Sequence, residues 1–340
     1  MVLPVYTGKE SKVLGEKSII LAGDVGATKT NLALFSYEKN ILTLLYEERF
    51  SSKEYRNIIQ IIEEFLIAHP LPDKMCFGVA GPVLNGRIKL SNIDWEIIDQ
   101  DEISRHFGAQ KVLLLNDLEA TAYGLTMLEQ KDIAVIHKGG DVAGGNAAVI
   151  APGTGLGEAG LYWDGVAYHP FATEGGHCDF ASRTAFDFEL LTFLQKTLSH
   201  VSWERIVSGP GIVNIYQFLR DVKKREEPAW LKEKFENDEA PGVISQNVSH
   251  SELCQETMRH FIRYLAYESS NLVLKFKATG GLFIGGGIAP QVVSLFENNM
   301  FYASFCEIGR LHYLLEKIPV NVILNPKTAL LGAAYYGANN

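Results

Sequence analysis

The chain has 340 residues, 47% of them hydrophobic, which is long enough for two globular domains with cores of their own. A net charge of −9 and a pI near 5.5 leave no basic field to draw in a nucleic-acid backbone or an anionic membrane. No apolar run approaches the roughly 18 residues of a membrane span. Four scattered cysteines (Cys76, Cys178, Cys254, Cys306) with no C-x-x-C pair point to free thiols in a reducing cytoplasm, with neither a disulfide framework nor a zinc ribbon.

The N-terminus, MVLPVYTGKESKVLGEKS, lacks the apolar stretch of a signal peptide, and residues 1–17 read as a short polar extension. SIILA (18–22) then predicts a buried strand running into GDVGATKT (23–30). That octet nearly spells G-x-x-x-x-G-K-[ST]: Gly23, Lys29 and Thr30 are in place, but Thr28 stands where the second glycine belongs. A loop of that kind opens a helix, whose N-terminus helps hold the phosphate. Here Leu32 and Leu34, a polar turn at Glu38, Lys39 and Asn40, then Leu42, Leu44 and Tyr46 alternate with period two. A β-hairpin follows the glycines, and the P-loop reading fails.

YRNIIQIIEEFLIAHP (55–70) predicts an amphipathic helix stopped by Pro70. DKMCFGVAGPV (73–83) predicts a buried strand ending in Gly-Pro, and GRIKLSNIDWEI (86–97) a second hairpin-like pair. QKVLLL (110–115) is a largely apolar strand leading into NDLEATAYGLTMLEQ, a helix with good capping residues. NAAVIAPGTGLGEAGLYWDGVAYHP (146–170) repeats the opening grammar: an apolar strand, a loop with Gly153, Gly155 and Gly157, and an alternating hairpin. TAFDFELLTFLQKTL, GIVNIYQFLRDVKK and SELCQETMRHFIRYLAYESSNLVLKF are helices of the second half. REEPAWLKEKFENDEAPGVISQNVSH (225–250), polar and broken by Pro228 and Pro241, reads as a surface insertion. GGLFIGGGIAP (280–290) is a strand entering a glycine loop, and PVNVILN with TALLGAAYYGA closes the chain. Alternating strands and helices with a duplicated hairpin start predict an α/β protein of two related domains around a cleft.

Two readings fit the glycine turns. Each offers backbone N–H groups and a small hydroxyl (Thr28, Thr154) to phosphate oxygens, or each is an ordinary tight hairpin that needs glycine for positive φ. Asp24 inside the first turn, and the repetition of the pattern, favour phosphate. Asn116 and Asp117 sit where a buried strand gives way to a helix, the place where α/β sheets put ligand groups. Taken alone, Asp117 reads more simply as a helix N-cap. Two glycines separate Glu174 from His177 and let both side chains bend into one pocket. A metal there would need further ligands that the sequence does not supply at useful spacing, so hydrogen bonding to a polyol is the more economical role. Glu204 precedes another glycine turn and by itself reads as a solvated charge.

Taken in order, GDVGATKT, GVAGPV, LSNIDW, LLNDLEA, APGTGLG, EGGH-x-DF, ER-x-x-SGPG and GGLFIGGGIAP resemble the bacterial glucokinases of the actin/hexokinase/heat-shock-ATPase superfamily. The similarity runs from about residue 18 to the C-terminus. The cysteine-rich zinc motif of the other large bacterial sugar-kinase group, which carries repressor relatives, is absent. The resemblance implies an α/β fold of two actin-like (ribonuclease H-like) domains with mixed sheets flanking an interdomain cleft. Residues 18–127 plus 318–340 would form a small domain and 128–317 a large one. The implied reaction places the γ-phosphoryl of ATP on the 6-hydroxyl of glucose, with Mg²⁺, in a cytoplasmic homodimer that has no nucleic-acid or membrane partner.

Carried onto this sequence, the resemblance makes Asp117 the catalytic base. Asn116, Asp117, Glu174, His177 and Glu204 would bind the sugar hydroxyls, and Asp24 would position Mg²⁺ through water. Gly26, Ala27 and Thr28, with Gly153, Thr154 and Gly155, would cradle phosphates, while Gly285, Gly286 and Gly287 would let the adenosine lie against backbone. The family has Gly-Gly-Thr-Asn where this chain has Gly26, Ala27, Thr28 and Lys29; Lys29 either adds a phosphate contact or points to solvent. Two rivals differ in what they need. A chaperone-like or filament-forming ATPase has no use for Glu174, His177 and Glu204 together, and a non-catalytic sugar sensor has none for Asp117.

Overall fold

The computed structural model describes residues 3–6, 17–39, 41–90, 92–140, 144–296 and 299–340. Asn40 and most of the N-terminal extension therefore lie outside the described residues. β1 (Ser18–Val25) and β2 (Lys29–Glu38) pair antiparallel from Ser18↔Tyr37 to Val25↔Thr30, and β3 (Ile41–Ser51) adds to β2. The hairpin expected after the glycines is present. α1 (Ile58–Ile67) starts at Asn57, whose side chain accepts from the Gln60 amide, and it turns Ile58, Ile61, Ile62 and Phe65 inward. β4 (Lys74–Val79) runs parallel to β1.

The pair expected over 86–97 shrinks to β5 (Arg87–Ile88) and β6 (Ile98–Asp99). Between them Leu90 and Trp95 are buried, with the Trp95 indole donating to the Tyr55 carbonyl, so the segment serves the core rather than a ladder. α2 (Gln100–Phe107), which hydrophobic period did not announce, is started by Asp99 accepting from the Asp101 and Glu102 amides. β7 (Lys111–Asn116) runs parallel to β4 and passes directly into α3 (Asp117–Gly124). The first sheet has the order β3-β2-β1-β4-β7.

A second sheet repeats this plan. After β8 (Ile133–His137) come β9 (Ala147–Pro152), β10 (Leu156–Trp163) and β11 (Tyr168–Thr173). α4 (Ala185–Leu194) opens with a reciprocal Thr184–Asp187 capping box, and α5 (Gly209–Asp221) is capped by Ser208. Residues 225–250 are not a surface insertion. They form α6 (Ala229–Lys234) and α7 (Ala240–Gln246), with Leu231, Val243 and Ile244 buried in the core. The two prolines begin these helices rather than break them: Pro228 precedes α6 and Pro241 lies in the first turn of α7. α8 (Glu252–Phe276) is the long central helix, and β12 (Gly281–Ile284) follows it. α9 (Met300–Cys306), α10 (His312–Leu315), β13 (Val320–Ile323) and α11 (Thr328–Asn339) complete the chain. The second sheet runs β11-β10-β9-β12-β13-β8, with β9, β12 and β13 parallel.

The chain divides into two compact units. One comprises Met1–Asp132, Ala159–Thr173 and Asn325–Asn340; the other comprises Ile133–Glu158 and Glu174–Leu324. The first has its core on Leu21, Leu32, Phe65, Phe77 and Trp95, the second on Trp203, Phe218, Phe261, Tyr264 and Phe301. Each such side chain contributes about 1.5–3 kcal/mol of burial. Among the described residues no helix is long and apolar enough to cross a membrane, and the four cysteines are free, with only Cys178 exposed.

Candidate active site

In the first unit the candidate groups gather where β1, β4 and β7 end. The parallel register sets Asp24 beside Gly78 and Gly78 beside Leu115, one residue before Asn116. Strands about 4.8 Å apart put the ends of β1 and β7 roughly 10 Å from one another. The turn after Asp24 closes with the Gly26 amide donating to the Lys29 carbonyl (3.0 Å). Ser52 clamps it from behind: its hydroxyl donates to the Gly26 carbonyl (2.7 Å), and its amide donates to that of Thr28 (3.1 Å). The amides of Ala27 and Thr28 meet no acceptor among the described residues, and the side chains of Thr28 and Lys29 are both exposed. Two open N–H groups in one tight turn are what an anion requires. Ala27 in place of glycine is accommodated, since no residue of this turn takes a positive φ.

Asp24 is partly buried, which pushes its carboxyl above the usual range, against the opposing pull of the Asn31 amide (3.2 Å) and the Lys29 charge. A lone carboxylate beside a phosphate turn fits Mg²⁺, which keeps several waters and takes one or two carboxylates along with substrate phosphates. Among the described residues no three His, Cys, Asp or Glu side chains cluster into a metal cage.

The cap of α3 is Asn116, not Asp117. Buried Asn116 accepts from the Leu118 and Glu119 amides (2.9 and 3.2 Å) through Oδ1, while Nδ2 donates to the Gly81 carbonyl (3.0 Å). Its oxygen is thus committed, and one N–H remains to be given to a ligand. Asp117 is the first helical residue, half-buried, with Oδ1 accepting from its neighbour's amide (2.9 Å). Capping explains Asn116, and a carboxylate at 117 calls for another explanation.

In the second unit, three glycine-bearing pieces lock together. The Gly153 amide donates to the Gly155 carbonyl (2.8 Å), the Gly209 amide at the start of α5 to the Gly153 carbonyl (2.8 Å), and the Ile288 amide to the Pro152 carbonyl (3.2 Å). Thr154, Gly155, Gly286 and Gly287 keep amides without an acceptor among the described residues. The glycines of the 285–287 loop are not equivalent. Gly286 sits at φ +78°, and a side-chain carbon there would fall 2.3 Å from the Pro152 carbonyl oxygen, so no other residue fits; at Gly287 the same position faces open space.

The acceptor-rich groups lie beside this assembly. Glu174 precedes and His177 ends a single helical turn, Gly175–His177, with Oε2 and Nε2 3.9 Å apart, too long for a hydrogen bond, and both side chains exposed. The strand-like segment after them pairs with the residues before Glu204: the Phe180 amide donates to Val201 and the Trp203 amide to Cys178 (both 3.0 Å). That pairing carries Glu204 to the same end as Glu174 and His177. Oε2 of Glu204 accepts from the Leu156 amide (3.1 Å), directly after the Gly155 turn. At Gly155 any side chain would meet that oxygen at 2.5 Å. Glu204 is thus no solvated charge: it braces the Gly153–Gly155 turn. Sequence reasoning missed Ser52, which holds the first turn by two bonds, and Asn31 and Ser208, which bond Asp24 and the Glu204 carbonyl; such bonds leave no pattern in the chain.

The unit geometry is matched by known proteins. A family model described as Glucokinase matches residues 21–340. The glucokinase of Nostoc punctiforme is 37% identical over 339 residues, covering 94% of this chain and 99% of that protein. The glucokinase of Caulobacter sp. (strain K31) is 33% identical, with 92% and 93% covered. The crystal structure of a glucokinase from an Antarctic psychrotroph matches with a TM-score of 0.79 and 30% identity, over 95% of this chain and 99% of that one. A ROK family glucokinase from Streptomyces griseus, solved in complex with glucose and AMPPNP, gives 0.66 at 19% identity, over 95% of this chain and 100% of that one, a likeness of fold alone. The two-domain actin-like α/β fold that the motifs implied is the fold of these structures. With the family model spanning residues 21–340 and relatives above 30% identity along nearly its whole length, the chain belongs to the glucokinase family.

Proposed function

We propose that the chain transfers the γ-phosphoryl group of ATP to the 6-hydroxyl of glucose, with Asp117 as the base. The observation that carries this reading is the division of labour at the end of β7, where the residue that caps α3 is Asn116 and a carboxylate follows it as the first helical residue. Glucose then meets Asp117 and the remaining Asn116 N–H, and its other hydroxyls meet Glu174, His177 and Glu204. A site built from fixed polar groups rejects analogues that lack a hydroxyl, because the partner is left unpaired.

The open amides of Ala27, Thr28, Thr154 and Gly155 bind phosphate oxygens, and Gly287 gives the nucleoside room. As the sugar oxygen approaches phosphorus, Asp117 takes the 6-hydroxyl proton; the O6–P bond forms while the bond from the γ-phosphorus to the β,γ-bridging oxygen breaks and ADP departs. Asp24 would hold Mg²⁺ through water, and the ion would neutralise charge on the phosphates. The protein's part is positioning and charge balance, which is most of what phosphoryl transfer asks. The same reading makes the chain a cytoplasmic enzyme at the head of glycolysis, acting as a homodimer, which light scattering in solution checks. The decisive test is ADP formation in a coupled assay with and without glucose: ADP released only when glucose is present supports the reading, and release without sugar refutes it.

A further inference from the structure

Two adjacent serines at the end of β3 differ in setting: Ser51 is exposed, whereas Ser52 is 0% exposed, as is Thr30 on β2. The register of β2 and β3 sets Lys29 against Ser51, so the next residue, which opens the helical turn Ser52–Glu54, arrives behind the Gly26–Lys29 turn. There Ser52 Oγ lies 2.7 Å from the Gly26 carbonyl and 3.0 Å from Thr30 Oγ1. A carbonyl only accepts, so the Ser52 proton goes to Gly26, and Thr30 donates to Ser52. The bonds form one chain, from the Thr30 hydroxyl through the Ser52 hydroxyl to the Gly26 carbonyl.

That chain has a direction, and the direction matters at the next group. Among the described residues no peptide bond is cis, and in a trans peptide the C=O and N–H point opposite ways. Drawing the Gly26 carbonyl toward Ser52 therefore turns the N–H of the same peptide, that of Ala27, away from Ser52. It is one of the two amides of this turn that meet no acceptor among the described residues. Aligned bonds polarise one another, so a carbonyl that accepts from a hydroxyl leaves its own N–H a better donor. For stability alone the two hydroxyls are replaceable, because apolar groups of the same shape cost little once both partners go. Apolar groups would not choose the direction of the Gly26–Ala27 peptide.

We propose that Ser52 is a positioning residue for the phosphoryl donor: its hydroxyl, backed by Thr30, fixes the Gly26–Ala27 peptide so that the Ala27 N–H faces a phosphate oxygen of ATP. Being buried, Ser52 acts through the turn and not on the nucleotide itself. The proposal rests on the reading of the Gly26–Thr28 turn as a phosphate cradle.

Ser52→Ala, Thr30→Val and the double variant, each in the full chain, test it. Ser52→Ala should raise the KM for ATP roughly five- to twentyfold, with glucose affinity within about twofold of wild type. Its Tm should fall as well, since Thr30 loses its acceptor. Thr30→Val keeps the bond from Ser52 to Gly26, so its KM for ATP should stay within about twofold of wild type. In the double variant neither hydroxyl is left without its partner, so Tm should recover toward wild type while the KM for ATP stays as high as in Ser52→Ala. A KM that recovers along with Tm makes Ser52 a stabilising contact only and overturns the proposal, as does a normal KM in Ser52→Ala. Amide spectra of chains labelled at the alanine nitrogens separate this from the underlying reading. ATP should shift the Ala27 resonance of wild type; an unmoved resonance refutes the phosphate cradle, and a shift of the same size in Ser52→Ala refutes the aiming of the amide.

Discussion

Replacing Asp117 with asparagine separates proton acceptance from every other task at the end of β7. The helix cap is untouched, because Asn116 takes the Leu118 and Glu119 amides. An asparagine oxygen at 117 still accepts from the Leu118 amide, now at 2.9 Å. The unfolding free energy should therefore stay within about 0.5 kcal/mol of wild type. What disappears, on the proposed reading, is the acceptor for the 6-hydroxyl proton, worth roughly 10²- to 10⁴-fold in rate, or about 2.7–5.4 kcal/mol of activation free energy. Because that interaction belongs to the transition state, glucose affinity should change by no more than about threefold. Asn116→Ala is the contrasting variant. It removes the cap and the bond to Gly81, costing about 1–3 kcal/mol of stability, and so lowers Tm where Asp117→Asn does not. A steady-state ADP assay, calorimetric glucose titration and thermal melts on both variants give the three readouts. Near-normal kcat in Asp117→Asn would remove it from the chemistry, and a melting loss equal to that of Asn116→Ala would make it structural.

At the glycine loop, Gly287→Val should raise the KM for ATP at least fivefold, or roughly 1 kcal/mol, with Tm and glucose binding intact; Gly286→Ala should instead lower Tm, and a reversed pattern would sink the assignment of Gly287 to the nucleotide. Glu204→Ala frees the Leu156 amide as well as emptying the proposed sugar contact, so both KM values should rise, whereas Glu174→Gln should affect glucose alone; a Glu204 variant impaired only in glucose binding would refute the bracing role. Burial beside Glu268 pushes the Glu158 carboxyl from 4.5 up to about 8. The folded chain keeps a proton that the unfolded chain releases, so this stability is complete below about pH 4.5 and is lost as pH rises toward about 8. Urea titrations at about pH 5.5 and pH 8.5 should show wild type losing more stability than Glu158→Gln, and parallel losses would be fatal to the argument.

The parts legible in the sequence were those written in hydrophobic period and in glycine. The hairpins after residues 23 and 153 and the long α8 declared themselves by alternation or by helical spacing over many residues. α2 did not, because its only buried residue is Ile103 and one apolar position makes no period. Prolines 228 and 241 read as breaks when they were beginnings, a distinction that depends on where the helix lies. At the site, residue types were legible but duties were not. Asn116 and Asp117 are equally good caps by composition, and only the backbone direction out of β7 decides that Asn116 does the work. The bracing bond of Glu204 gave no signal, since its partner is the amide of residue 156, 48 positions away, and an amide is the same in every sequence.

One oxygen of Glu204 holds the backbone after the Gly155 turn, and on the reading proposed above the other meets the sugar. A carboxylate shared in this way makes the two substrates partners in thermodynamics. If bound glucose steadies Glu204, it steadies the turn that receives phosphate, and ATP finds a site whose ordering has already been met. Reciprocity then fixes the converse: whatever factor glucose lends to ATP binding, ATP must return to glucose. Couplings of this sort run to about 1–3 kcal/mol, and here the effect would need no contact between sugar and nucleotide.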